Sequence, residues 1–157
     1  GQRTQNDTTI SSDTTLTTAD SGKVFIIGDS SAQPQATYTI QFPVDVAGWN
    51  AKFYLTGNIR NDIIVSGASA TTTGTPVAIF DTIITRSVGI TGKHQAITSK
   101  PSLNGTGSTE LTFVATGSHH PKGGGSHHTH YGDQIEIVVG IANSVVFATG
   151  LAGSGSM

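Results

Sequence analysis

Apolar and polar residues alternate over short stretches of this chain. In residues 36–42 the side chains at positions 38, 40 and 42 are large and apolar, and those at positions 135, 137 and 139 repeat the pattern within residues 133–139. A period of two places the apolar side chains on one face of a β-strand and the polar ones on the other. Turn-forming residues separate these stretches. The pattern predicts strands near 23–27, 36–42, 51–57, 62–66, 76–82, 84–90, 94–99, 109–116, 133–140 and 144–150.

The same pattern predicts the fold class. No stretch has a helical period, and glycine and β-branched residues are too frequent for long helices. Strands with one polar face are typical of antiparallel sheets that are wet on one side. We therefore expect an all-β protein, an antiparallel β-sandwich or jelly-roll-like domain. Residues 1–13 are polar apart from Ile10 and predict a flexible N-terminal arm, and residues 14–157 predict a single β domain.

The stretch that precedes the first predicted strand has the residues of a tight turn. The Asp20 carboxylate can accept hydrogen bonds from nearby backbone N–H groups, the Ser21 hydroxyl can bond to the backbone, and Gly22 can adopt a positive φ. The apolar run 24–27 follows at once. The sequence therefore predicts a turn that delivers the chain directly into a buried strand.

Composition narrows the partners and the chemistry. Charged residues make up 11% of the chain and its formal net charge is −2, so there is no basic surface of the kind that binds nucleic acid. The chain has no cysteine, which excludes disulfides and thiolate metal sites. No apolar stretch approaches the roughly 20 residues that cross a bilayer as a helix. We expect neither a nucleic acid nor a membrane as a partner.

Five of the six histidines lie in one His/Gly-rich loop, residues 117–132. His128 and His130 are two apart, so in an extended segment both imidazoles point the same way and can reach one transition-metal ion. Three such pairs around a threefold axis would supply six nitrogen ligands. Two other interpretations stay open: a solvated polar loop without a ligand, and a contact that responds to pH. No other cofactor is expected.

Neither an enzyme nor a sugar-binding site is the favoured interpretation. Asp29, Ser30 and Ser31 follow a glycine and superficially resemble the start of a serine-esterase motif, but no helical pattern follows them, as that nucleophile requires. No catalytic residues are therefore predicted. The aromatic cluster of Trp49, Phe53 and Tyr54 would suit a sugar platform only if the rings were exposed. Packing in the core is the commoner arrangement.

Several segments, in order along the chain, resemble small β-rich structural proteins from the virions of tailed bacteriophages. The chain departs from that family at residues 145–147, where the family usually has Trp-Tyr, and in its His/Gly-rich loop. The segments that carry the resemblance are Leu16–Phe25, Tyr38–Pro43, Ala47–Phe53, Gly132–Ile137, Val145–Gly150 and Gly153–Gly155.

The resemblance implies a function without catalysis. Proteins of this family decorate or cement the capsid, or form head fibres, and tend to be trimers on the virion surface. It therefore implies a homotrimer that binds the major capsid protein or another virion protein. Two alternatives remain open: a fibre tip or adhesin that binds a receptor or glycan, and an extracellular filament subunit that assembles by strand donation.

Overall fold

The strands of this protein form two packed sheets. A computed structural model of the chain describes residues 8–56, 59–68, 77, 79–87, 97–101, 108–113 and 133–154. A short 3₁₀ turn, Thr18–Asp20, is the helical element among them. The strands are β1 (Thr8–Ile10), β2 (Thr14–Thr15), β3 (Lys23–Ile27), β4 (Tyr38–Phe42), β5 (Asn50–Leu55), β6 (Ile63–Gly67), β7 (Ile79–Ser87), β8 (Ile97–Pro101), β9 (Ser108–Phe113), β10 (Gln134–Ile141) and β11 (Val145–Ser154).

Successive strands from β1 to β7 alternate between the two sheets. The first sheet has the order β1-β3-β5-β10-β11-β7, and the second sheet contains β2, β4, β6, β9 and β8. Within the described residues the two sheets are joined by a single ladder pair, Ile79 on β7 with Ser108 on β9. The strand order ends at β1 on one side and at β2 on the other, so these strands do not close into a barrel.

The predicted antiparallel sandwich or jelly roll is wrong, because many of the ladders are parallel. Strands β1, β3 and β5 run parallel to one another, as do β2, β4 and β6. The physical reason is the connection. Each strand crosses to the opposite sheet, and the next strand returns to the first sheet in the original direction. Alternation of polar and apolar residues marks which face is buried and contains no information about this direction.

The C-terminal hairpin supplies the antiparallel part of the first sheet. Strand β10 pairs antiparallel with both β5 and β11. Strand β11 then runs parallel to β7 over nine residue pairs, from Val146 with Ile79 to Ser154 with Ser87. The hairpin therefore lies between β5 and β7, and the first sheet is mixed. The second sheet is mixed too, since β6 is parallel to β4 and antiparallel to β9.

The flexible arm predicted for residues 1–13 is wrong for residues 8–13, which belong to the fold. Strand β1 is the edge of the first sheet, and Ile10 is 3% exposed. Its carbonyl accepts the Gly28 N–H at 3.2 Å, and the Ser11 carbonyl accepts the Ser31 N–H at 2.9 Å. Burial of Ile10, the one large apolar side chain of this segment, fixes it against the domain.

The two sheets bury one shared apolar layer. Phe25 stacks on Phe53 with 5.5 Å between ring centroids, and Phe42 stacks on Trp49 at 5.9 Å. Trp49 and Phe53 are therefore core residues, as the sequence favoured. The other large side chains that are fully buried are Ile27, Ile40, Leu55, Ile59, Ile63, Ile79 and Phe113.

The turn before β3 forms as the sequence predicts. The Asp20 carboxylate accepts the Thr17 N–H at 2.8 Å and pairs with Lys23 Nζ at 2.7 Å. Gly22 has a φ of 83°. Burial raises the pKa of Asp20, but the hydrogen bonds from Lys23 and Thr17 outweigh burial and hold that pKa below its ordinary value. The Trp49 indole N–H donates to the Thr17 carbonyl at 3.0 Å and attaches the turn to the core.

Tyr38 ties the two sheets together through its hydroxyl. The side chain begins on β4 of the second sheet, and its hydroxyl donates to the Gly28 carbonyl at 2.6 Å, just beyond β3 of the first sheet. The Ile10 carbonyl lies 3.1 Å from the same oxygen. Burial raises the pKa of Tyr38 above its usual value, and the nearby Asp29 carboxylate raises it further.

This burial predicts a loss of stability at alkaline pH. The folded state holds the Tyr38 proton more tightly than the unfolded state. The contribution of protonated Tyr38 to the free energy of unfolding is therefore complete below the unfolded pKa of 10.0, and it declines as pH rises above that value. Tyr38→Phe should lower the free energy of unfolding at neutral pH by about 1–3 kcal/mol, since it leaves a carbonyl without its donor. Chemical denaturation of both proteins from neutral pH to pH 11 should show the difference narrowing above about pH 10. A constant difference across this range would contradict the assignment.

Candidate functional site

The residues that the sequence singled out for metal binding, His128 and His130, lie outside the described residues, as does the rest of the loop 117–132. Within the part of the chain that the structure describes, no group of three or more His, Asp or Glu side chains could hold a metal ion. The metal site therefore stays a prediction, and the candidate site must come from the described surface.

Asp29 and Ser30 organise the loop after β3. The Asp29 carboxylate accepts the backbone N–H groups of Ser30 at 3.1 Å and Arg60 at 3.0 Å, and the Gln35 amide at 3.0 Å. Ser30 is 8% exposed, and its hydroxyl accepts the Ala32 N–H at 3.2 Å. These contacts position the crossover from β3 to β4 and explain the conformation of the Gly-Asp-Ser stretch.

The outward-facing residues of the two sheets differ in character. On the first sheet, the half-buried outward positions include Val24 and Ile26 on β3, Tyr54 on β5 and Val138 on β10. Phe147 on β11 is 53% exposed. On the second sheet, the described outward positions are Thr15, Thr39, Gln41, Ser66, Glu110 and Thr112, together with one apolar residue, Ile64. The outer face of the first sheet therefore has more apolar side chains than that of the second, and polar residues such as Asn50, Gln134 and Thr149 lie among them.

An ion pair lies in the middle of this apolar face. Lys52 on β5 and Glu136 on β10 are directly opposite in the ladder, and their charged atoms are 3.4 Å apart. The side chains are 33% and 45% exposed, so the pair contributes about 0.2–1 kcal/mol to stability. It places one positive and one negative charge side by side on the surface.

Phe147 covers a glycine on the neighbouring strand. A Cβ atom added to Gly140 would lie 2.7 Å from Cε2 of the Phe147 ring. The ring therefore occupies the space above the glycine and still exposes half of its surface. An aromatic ring over a cross-strand glycine stabilises the sheet, and the exposed half remains free to contact another molecule.

Two further large apolar side chains are exposed, one in the segment before β5 and one at the end of β10. Val46 is 41% exposed and Ile141 is 60% exposed. Their segments are hydrogen bonded, since Gly48 N–H donates to the Val139 carbonyl at 2.7 Å and Asn143 N–H donates to the Val44 carbonyl at 2.6 Å. With Phe147, they complete the exposed large apolar residues among the described ones. We call Val24, Ile26, Tyr54, Val138, Ile141 and Phe147, with Lys52 and Glu136, the apolar face.

The apolar face has the properties of a surface that binds protein. Exposed apolar side chains gathered on one surface mark interaction sites in soluble proteins. The sequence analysis missed this face, although β3 gave a signal: Val24-Phe25-Ile26-Ile27 has no polar alternation and so predicts apolar residues on both sides of the strand.

The second sheet has a different surface feature, a shallow polar depression beside β2. It has a volume of about 290 Å³ and is lined by Asp13, Thr14, Thr15, Thr39 and Gln41. The Asp13 Oδ1 atom accepts the Thr39 N–H at 2.8 Å, next to the ladder between β2 and β4. The depression is open to solvent and has no aromatic lining.

No helix among the described residues is long and apolar enough to cross a membrane.

The contact between Phe147 and Gly140 predicts a coupling between the two positions. Gly140→Ala should lower the free energy of unfolding more in the wild-type protein than in the Phe147→Ala variant, by about 0.5 kcal/mol or more. The reason is that the added methyl group displaces the ring only where the ring is present. Chemical denaturation of the four proteins of this double-mutant cycle measures the coupling. Thr149→Ala, on the same strand, is the matched control and should combine additively with Gly140→Ala. Additive effects of Gly140→Ala and Phe147→Ala would show that the ring does not occupy this position.

Comparisons of the chain with protein-family models, with curated proteins and with solved structures find no match. The candidate function therefore depends on the residues and geometry of this chain alone.

Proposed function

We propose that this protein is a non-enzymatic structural subunit of the surface of a tailed-phage virion, where it decorates or cements the capsid. The apolar face is the observation that carries the proposal, because such a surface is stabilised when another protein covers it. The resemblance of its strand and turn segments to virion structural proteins supplies the setting. The low charge of the chain suits close packing against neighbouring proteins.

Residues 8–10 of the N-terminal segment are paired within their own sheet. Donation of residues 1–13 to a neighbour would require this segment to be available. Thr8–Ile10 instead pairs with β3 of its own sheet, and Ile10 is buried there. We therefore propose that neighbouring virion proteins, the major capsid protein among them, bind the apolar face. The homotrimer implied by the resemblance stays a prediction.

The location of the protein on virus particles tests this proposal. Antibodies against the purified chain, carrying gold labels, should bind capsid heads in electron micrographs of particles from the cells that encode it. Labels at fibre tips would favour the receptor-binding alternative, and labels along filaments would favour the strand-donating subunit. Either result, or a chain found only free of particles, would contradict a role in decoration.

The apolar face is then tested by rebinding purified protein to particles that lack it. Phe147→Ser and Ile141→Ser should each reduce the amount of protein bound, since they remove apolar surface from the contact. Gln41→Ser is the matched control, because Gln41 is exposed on the second sheet. Thermal unfolding of each variant shows that the fold is intact. Equal binding by all the variants would show that the contact lies elsewhere.

A further inference from the structure

One short stretch of the chain joins the two ends of the strand order. Strand β1 ends the first sheet and strand β2 ends the second, and both belong to the segment Thr8–Leu16. The sheets meet through the ladder pair between β7 and β9, so β1 and β2 lie at the opposite, open side of the two packed sheets. This segment, which we call the strap, therefore crosses the open side and connects the two sheet edges covalently.

We propose that the strap is a latch, which detaches from both sheets as one unit while the rest of the domain, the body, stays folded. Detachment uncovers the backbone edges of β3 and β4, with which the strap otherwise pairs. It is also the step that strand donation to a neighbouring copy would require. The latch does not depend on which protein covers the apolar face.

The strap can separate from the body because it lies only at sheet edges. Among the described strands, β1 pairs with β3 alone and β2 pairs with β4 alone. On their other sides, β3 pairs with β5 and β4 pairs with β6, and these ladders do not include the strap. Ile10 and Leu16 are its buried side chains, and the residues between them are exposed or half-buried. Its detachment therefore leaves the main ladders of both sheets in place.

The strap moves as one unit because the linker between its two strands is short and bonded to both sheets. The linker is residues 11–13. The Ser11 carbonyl accepts the Ser31 N–H at 2.9 Å, beyond β3 of the first sheet. The Asp13 carboxylate accepts the Thr39 N–H at 2.8 Å, on β4 of the second sheet. A strand that leaves one sheet therefore pulls on bonds to the other sheet.

Four backbone N–H groups report on detachment, because each bonds between the strap and the body. We call them the strap amides, and they belong to Gly28, Ser31, Leu16 and Thr39. The first two lie beside the first sheet, and the other two lie at the second. The N–H groups of Leu55 and Val139 bond to carbonyls within the body, so these body amides report on unfolding of the whole domain.

Hydrogen exchange of the full chain, followed by NMR at increasing concentrations of guanidinium below the unfolding transition, tests the latch. The four strap amides should share one free energy of opening, which lies below that of the body amides. Their exchange should also depend less on denaturant, because detachment exposes less surface than unfolding. Strap amides with separate free energies for the two sheets, or strap amides that exchange only together with the body amides, would overturn the proposal.

Two matched substitutions then separate the strap from the body. Ile10→Ala should speed exchange at all four strap amides, including the two at the second sheet, by about 30-fold or more. It should speed the body amides as well, since the unfolded state also lacks the Ile10 contacts. Ile137→Ala is the same change in a fully buried residue of β10 and should speed the body amides alone. Faster strap amides in Ile137→Ala, or an effect of Ile10→Ala on the first sheet only, would contradict the latch.

An exposed residue of the linker provides a variant that keeps the core intact. Asp13→Ala removes the acceptor of the Thr39 N–H, so the informative amides are those of Gly28 and Ser31 at the other sheet. They should exchange about tenfold faster or more, because a hydrogen bond to a charged group is lost from the strap. Asp45→Ala removes an exposed carboxylate outside the strap and should leave all four strap amides unchanged. Unchanged exchange at Gly28 and Ser31 in Asp13→Ala would show that the strap is two independent halves.

Discussion

One apolar layer is shared by both sheets, and the path of the chain follows from it. Strands β1 to β7 alternate between the sheets, so each successive strand places its apolar residues into the same layer from the opposite side. Phe25 and Phe53 enter it from the first sheet and Phe42 from the second. Because each strand returns to its sheet in the original direction, the requirement to bury these side chains is met by parallel ladders.

The positions of most strands could be predicted from alternation, and their pairing could not. The predicted strands at 23–27 and 133–140 agree with β3 and β10 within one residue. The two predicted at 76–82 and 84–90 are instead the single strand β7 (Ile79–Ser87). Strands β1 and β2 were missed because three and two residues are too few to show a period. Parallel direction depends on contacts between residues far apart in the chain, which local patterns do not contain.

The candidate site was predictable only in part, for a related reason. The unbroken apolar run of β3 predicts a strand with apolar residues on both sides. The exposure of Phe147 depends on which strands flank β11 and on Gly140 beneath its ring, and both are tertiary features. Lys52 and Glu136 are far apart in sequence and become a pair through the ladder between β5 and β10. The chemistry that the sequence marked most clearly, His128 and His130, lies outside the described residues.

The central claim of this account is that the apolar face is covered by protein in the assembled state. A photo-activated cross-linking amino acid in place of Phe147, compared with the same group in place of Gln41 on the second sheet, tests it most directly. Under illumination of the assembled particles, the account predicts a covalent adduct to another protein chain from position 147 and none from position 41. Adducts from position 41 alone, or from neither position, would contradict it.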